Sequence, residues 1–214
     1  MRKYGNVIIV NFIEFRHDLF DLVCFNINQV YAYHPEFDKN NLTNWAKKGY
    51  ILKLRQGYYT FPEYLSFPGF TFYIAHRIYR PSYISLHTAL SFYGLIPEAV
   101  STITCVTSLK TRKFINDFGR FSYQSVKETA FFGYELKTVG DNKSFQIALP
   151  EKAIVDLFYF NPFYSTEKDF VDLRFDKDYL HDELDIDRFK SYSVRFSNSA
   201  LEKRVERFIK AYEL

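Results

Sequence analysis

The sequence predicts an α+β protein, with a small N-terminal domain of helices and one hairpin before a larger domain of mixed helices and strands. Three observations indicate this class. Residues 11–49 combine helical spacing of apolar side chains with capping residues. Residues 50–61 have the pattern of a hairpin, and residues 103–149 alternate apolar and polar side chains as strands do.

Length and composition suit this organisation. At about 150 residues per domain, a chain of 214 residues forms one large domain or two small ones. With 47% hydrophobic and 20% aromatic residues it does not stay disordered. Pro62, Pro68 and Gly69 cluster between the two patterned regions, so we place the domains at 1–65 and 70–214.

Cysteine usage and hydropathy predict a cytoplasmic protein. Cys24 and Cys105 are too few for a disulfide framework and lack the spacing of metal ligands, so we expect two buried thiols in a reducing compartment. The apolar run 7–13 is shorter than the roughly 20 residues that span a bilayer and has no small-residue cleavage site. We therefore expect neither a signal peptide nor a membrane contact.

The first two helices are predicted from their spacing and caps. Residues from about 11 to 23 suit one amphipathic helix. Asn26 is a favourable N-cap for the second, and Gln29 three residues later completes a capping-box pair. We expect Tyr31 to face inward and the helix to end near His34, which precedes a proline.

The third helix has the clearest pattern. Asp38 is its expected N-cap, and Phe37 and Leu42 stand at the positions of a hydrophobic staple. Leu42 and Trp45 lie at helical spacing and should face the core. Gly49 supplies the stop after the last turn.

The outward face of this third helix contains no acidic residue. Its side chains are cationic or neutral hydrogen-bonding groups: Lys39, Asn40, Asn41, Thr43, Asn44, Lys47 and Lys48. A hairpin follows, with strands over 50–54 and 58–61 and a turn that contains Arg55, Gln56 and a glycine. Three helices followed by a basic-tipped hairpin are the order of a winged helix-turn-helix domain.

This arrangement predicts binding to double-stranded DNA. We expect Asn40, Asn41, Thr43 and Asn44 to approach base edges in the major groove. Phosphate contacts are expected from Lys39, Lys47, Lys48, Lys53 and Arg55, and Gln56 completes the candidate DNA-binding set. Residues 1–80 hold ten Lys and Arg against six Asp and Glu, which favours an anionic partner there. A merely solvated helix face, or a winged helix that binds protein, are the alternatives.

The second region is expected to begin with a helix capped by Ser85. Its other expected elements are strands over 103–107, 119–126, 132–139 and 144–149, a helix from Pro150 to Phe160, an irregular acidic stretch over 165–187, and a last helix that begins with a Ser199/Glu202 capping box. On the last helix we expect Arg204 to be exposed. The acidic stretch holds nine acidic against three basic residues.

The motifs of common enzymes are missing. The sequence contains no GxGxxG, GxxxxGK[ST] or GxSxG, and its five histidines are scattered. We therefore predict no catalytic residue, no metal site and no cofactor. The alternative is a magnesium-dependent nuclease that uses Asp117 with the strand-borne pair Glu135 and Lys137.

Several runs, taken together, resemble a known family. They are NLTNWAKKGYI (41–51) with RQGYY (55–59), PSYISLHTAL (81–90) with YGLIP (93–97), VTS (106–108) and PEKAIVDL (150–157). In this order they resemble the AbiEi-type antitoxins of abortive-infection, type IV toxin–antitoxin systems, over roughly residues 15–160. The resemblance implies a DNA-binding N-terminal domain that represses its own operon. It also implies a C-terminal domain that neutralises a nucleotidyltransferase-like toxin, although some relatives are stand-alone regulators.

Overall fold

A computed structural model describes residues 10–140 and 142–214 and has an α+β fold. The apolar run 7–13 therefore lies largely outside the described residues, since only its last four belong to them. No helix in the described part of the chain has both the length and the apolar character needed to cross a membrane.

The N-terminal region interleaves helices with three short strands. Its elements are α1 (Phe12–Leu19), β1 (Cys24–Asn26), α2 (Ile27–Tyr33), α3 (Asn40–Lys47), β2 (Leu52–Arg55) and β3 (Tyr58–Thr60). The strands form an antiparallel sheet in the order β1-β3-β2. The expectation of one helix over 11–23 was wrong, because α1 gives way to a 3₁₀ turn at Phe20 and β1 pairs with β3. Three residues of strand are too few to show alternation in a sequence.

The helix caps follow the expected chemistry with small shifts. The Asn26 and Gln29 capping box is confirmed. Tyr31, expected inside, is exposed. The α3 helix begins at Asn40, and Oδ1 of Asp38 accepts the Asn40 N–H at 2.9 Å, so Asp38 caps the helix from one position further out than expected. Gly49 has a φ of +74°, which ends α3 as the sequence indicates.

The second region is built on a mixed six-stranded sheet. Its elements are α4 (Phe70–Ile78), β4 (Ser82–Ile84), α5 (Leu86–Phe92), β5 (Thr102–Thr107), β6 (Arg112–Asn116), β7 (Gly119–Ser125), β8 (Tyr134–Val139), β9 (Lys143–Ala148), α6 (Pro150–Phe160), α7 (Glu167–Asp172), α8 (Lys177–Asp182), α9 (Ile186–Val194) and α10 (Ser199–Tyr212). The strand order is β6-β7-β5-β4-β9-β8. The expected strands and the helix from Pro150 are present, whereas α4, β4, β6 and α9 were not anticipated.

The sheet lies between α4 and α5. On one face, the Tyr123 hydroxyl of β7 donates to the Ala75 carbonyl of α4 at 2.6 Å. On the other, Thr104 of β5 and Thr88 of α5 bring their hydroxyls to 3.0 Å. Since Thr104 pairs with the residue before Tyr123, these side chains point to opposite faces.

The C-terminal helices cover α6. Every residue of α6 from Glu151 to Phe158 is buried, and Phe158 lies against Phe170 and Phe208. The acidic stretch forms α7, α8 and the start of α9. Asn198, one residue before Ser199, caps α10. The expectation that Arg204 is exposed was wrong, because the residue is buried with the apolar face of α10.

One continuous hydrophobic core runs through both regions. Tyr64 of the first predicted domain and Phe70 of the second form a tilted ring pair with centroids 5.1 Å apart. Asn116 of β6 donates from Nδ2 to the Leu54 carbonyl of β2 at 2.9 Å. These contacts join the two regions. The division into domains at 1–65 and 70–214 stays a prediction.

Candidate nucleic-acid interface

Trp45 fixes the orientation of α3. Its indole is buried, with ring centroids 4.7 Å from Phe15, 5.2 Å from Phe12 and 5.6 Å from Phe37. Aromatic pairs at these separations stabilise their partners beyond the burial of area alone. With Trp45 and Leu42 inside, the helix cannot rotate without exposing them, so its opposite face is held toward solvent.

That opposite face carries the side chains expected from the sequence. Exposed members are Lys39, Asn40, Thr43, Asn44, Lys47 and Lys48, while Asn41 is half-buried. Asn40, Asn44 and Lys47 or Lys48 follow one another at three or four residues and therefore line one face. Glu36 and Asp38 are exposed in the chain just before α3, and Asp38 is engaged in capping.

The lysines of this surface are free of internal ion pairs. Within residues 10–140 and 142–214, no carboxylate lies within 4.0 Å of the ammonium groups of Lys39, Lys47, Lys48 or Lys53. Arg16 and Arg188, by comparison, each contact a carboxylate at 2.9 Å. An unpaired cation on the surface can bind an external anion without first breaking a contact.

The hairpin adds two exposed side chains to the same region of sequence. β2 and β3 are joined by Gln56 and Gly57 alone, and Gly57 takes the positive φ of +79° that such a tight turn needs. Lys53 and Gln56 are exposed. Both expected contacts therefore remain accessible.

Arg55 does not belong to this exposed set. Its guanidinium donates from Nε to the carbonyl of Ile78 at the end of α4 and lies 4.1 Å above the ring of Tyr58. It also lies 5.9 Å from the ring of Phe114 on β6. The side chain is thus half-buried and ties the hairpin to the second region, and the expected phosphate contact from Arg55 stays a prediction that these internal contacts disfavour. Spacing alone cannot distinguish an arginine at a hairpin tip that turns outward from one that turns back.

The alternative nuclease residues are not brought together. Asp117 lies in the turn after β6, and Glu135 and Lys137 lie on β8, at the opposite edge of the six-stranded sheet. Five strand spacings of about 4.8 Å separate these edges. Lys137 contacts Glu135 at 2.8 Å and, more than any other group, holds the pKa of that carboxyl below its usual range. In the described residues, no three His, Cys, Asp or Glu side chains are placed to hold a metal ion.

A buried polar cluster unites two of the motifs that carry the family resemblance. Ser85 and Tyr83, from PSYISLHTAL, donate hydroxyl hydrogen bonds to Asp156 of PEKAIVDL at 2.7 and 3.1 Å. Lys152 donates to the Tyr83 hydroxyl at 2.7 Å and pairs with Asp156. Burial lowers the pKa of Lys152 and raises that of Asp156, and the charge of each partner opposes the shift of the other.

This cluster was not expected from the sequence. Ser85 was expected to cap α5, but its hydroxyl turns to Asp156 instead. The available signal was a Lys and an Asp four residues apart in an otherwise apolar helix. No access from solvent reaches the fully buried Lys152 and Asp156, so the cluster acts on stability rather than as a binding site.

No protein-family model matches the sequence, and no curated protein matches it.

Proposed function

We propose that the N-terminal region is a winged helix-turn-helix domain and that the protein is a DNA-binding transcriptional repressor. The observation that carries this proposal is the acid-free face of α3, held outward by the buried Trp45. The chain order helix, strand, two helices and a two-stranded hairpin supports it further.

In this proposal α3 enters the major groove. That groove is about 12 Å wide and admits one helix. Asn40, Asn41, Thr43 and Asn44 meet base edges, where an Asn amide pairs with the two hydrogen-bonding atoms of adenine. The flanking lysines Lys39, Lys47 and Lys48 contact phosphates and fix the register of the helix on the duplex. Lys53 and Gln56 contact the backbone from the hairpin, whereas Arg55 stays in its internal contacts.

Salt dependence tests the phosphate contacts. We expect Lys47→Gln with Lys48→Gln to weaken binding to every duplex and to lower the slope of log affinity against log salt by about 0.9 per lost contact. Lys203→Gln with Lys210→Gln is the matched control, since both are exposed lysines on α10 and the net charge changes equally. If both pairs changed the slope alike, α3 would have no special part in DNA binding.

We propose as a second function the neutralisation of a nucleotidyltransferase-like toxin, with autoregulation of a shared operon. Its support is the resemblance together with the acidic surface of the C-terminal helices. Exposed acidic side chains there are Glu167, Asp172, Asp176, Asp178, Asp182, Glu183 and Asp187. A surface of one charge sign attracts a partner of the opposite sign.

Co-expression with a toxin encoded beside the gene tests this second function. The full chain should restore growth, and Asp178→Asn with Asp182→Asn should weaken the rescue while leaving DNA binding unchanged. Lys47→Gln with Lys48→Gln should weaken DNA binding and leave the rescue of growth unchanged. A full chain that never restores growth would leave a stand-alone repressor.

A further inference from the structure

A cationic cleft lies between α4 and the β8–β9 hairpin, and none of its lining residues belongs to α3. Its volume is about 400 Å³. Its lining includes Arg77, Arg80, Asn142, Lys143, Ser144 and Gln146, with Tyr73, His76 and Leu136 completing the wall. The proposed DNA contacts leave this cleft unused.

The cleft gathers three positively charged side chains. Among residues 10–140 and 142–214, no acidic residue lines it, and no carboxylate lies within 4.0 Å of Arg77, Arg80 or Lys143. Like charges held close together repel one another. An anion bound between them is attracted to all of them, so its binding offsets this repulsion. Arg174 and Arg188 of the same region are, by contrast, paired with Glu98 and Asp185.

The positive charges of the cleft also act on a buried histidine in its wall. His76 lies behind the arginines, with Nδ1 at 3.0 Å from the Ser82 carbonyl oxygen. Burial is the main cause that lowers the pKa of His76 to about 4; the hydrogen bond with Ser82 opposes this shift, and the charges of Arg80 and Arg77 contribute to it. The imidazole is therefore neutral near neutral pH and adds no charge beside the two guanidinium groups.

The donors suit phosphate oxygens in type and placement. Guanidinium groups bind phosphate through two parallel N–H bonds, and an ammonium adds a point charge. Ser144 and Gln146 are alternate residues of β9 and so project from the same face of the strand. They supply a hydroxyl and an amide beside the cations.

We propose that this cleft binds a phosphorylated small molecule through Arg77, Arg80 and Lys143. Its volume falls within the range of roughly 300–1,000 Å³ that is typical of small-molecule sites. Three cations match a diphosphate or triphosphate better than a singly charged anion. The site belongs to the second region and does not depend on the proposed DNA-binding function.

Calorimetric titration of the full chain with inorganic pyrophosphate tests the proposal. We expect saturable binding that Arg80→Gln and Lys143→Gln each weaken by about tenfold, equivalent to about 1.4 kcal/mol. Arg120→Gln is the matched control, an exposed arginine on β7, and should bind as the unmodified protein does. Thermal melting of each variant separates lost binding from lost folding, since neither changed side chain is buried.

Two outcomes would overturn the proposal. The first is the absence of saturable binding, or an equal loss in Arg120→Gln, which would mean that only overall charge matters. The second concerns the source of the phosphates and uses a short random duplex in the same titrations. If Arg80→Gln and Lys143→Gln weakened binding to the duplex but not to pyrophosphate, the cleft would be a DNA contact.

Discussion

Ser85 donates a hydrogen bond from Oγ to Oδ2 of Asp156 at 2.7 Å and thereby joins the start of α5 to the middle of α6. The same carboxylate pairs with Lys152. The rings of Phe132 and Phe196 lie 5.0 and 4.7 Å from the Lys152 ammonium and help to keep it from water. The second region is thus organised around a charge pair in its core.

Removal of one member of this pair should be severely destabilising. We expect Asp156→Ala to lower the free energy of unfolding by about 3–5 kcal/mol, because Lys152 is left as an uncompensated buried cation. Urea denaturation measures the change. Glu63→Ala removes a carboxylate from the half-exposed pair with Arg16 and should cost less than about 1 kcal/mol. Equal losses in the two variants would contradict the role of the buried pair.

Stability should fall as the pH is lowered from about 6.5 toward about 4. Burial lowers the pKa of His76 from 6.5 to about 4, so the unfolded chain binds a proton in this window and the folded chain does not. At about 1.36 kcal/mol per pKa unit, the loss from His76 reaches roughly 3 kcal/mol at the acidic end. His87, whose pKa burial also lowers, acts in the same direction.

Replacement of the imidazole tests this source of pH dependence. His76→Asn retains a donor near the Ser82 carbonyl and cannot titrate. Its unfolding free energy should therefore change less between these pH values than that of the unmodified protein. Identical pH profiles would assign the dependence to other groups.

Both cysteines should be unreactive in the folded protein. Cys24 and Cys105 are buried and free, as the sequence analysis expected. Burial raises the pKa of Cys24 to about 12 and also raises that of Cys105, which suppresses the nucleophilic thiolate. A thiol reagent at neutral pH should label neither residue until denaturant is added. Rapid labelling under native conditions would contradict their burial.

Arg55 and Lys53 should differ in what their removal changes. We expect Arg55→Ala to cost about 1.5–3 kcal/mol of stability, because its guanidinium hydrogen bond to the Ile78 carbonyl is lost. Lys53→Ala, an exposed change on the neighbouring strand, should leave the unfolding transition within about 0.5 kcal/mol. In DNA titrations Lys53→Ala should instead have the larger effect of the two variants. It should reduce the slope of log affinity against log salt. If Arg55→Ala were stable and its binding showed a reduced salt slope, Arg55 would contact phosphate after all.

Elements with local signals were predictable from the sequence. The Asn26 capping box, the buried side of α3 and the helix from Pro150 depend on residues within a few positions of each other. Their hydrogen bonds and spacing are therefore visible in a short window of sequence. The exposed face of α3 follows from the same local pattern, and so the candidate interface was largely accessible to prediction.

Features that depend on distant partners were not predictable. β1 is a strand only because β3 pairs with it, and Arg55 turns inward only because α4 ends nearby. The burial of Lys152 requires Tyr83 and Asp156 on two separate elements. The charge cluster of the cleft likewise joins α4 to β9, which lie far apart in the chain.

The most direct test of the proposed function is the preference of the full chain for its own promoter over a scrambled duplex, measured by competition at fixed salt. The unmodified protein should prefer the promoter. Asn44→Ala should reduce that preference by about 1–3 kcal/mol while its affinity for the scrambled duplex stays unchanged, because a base contact is lost and no phosphate contact is. Equal affinity of the unmodified protein for the two duplexes would contradict sequence-specific repression through α3.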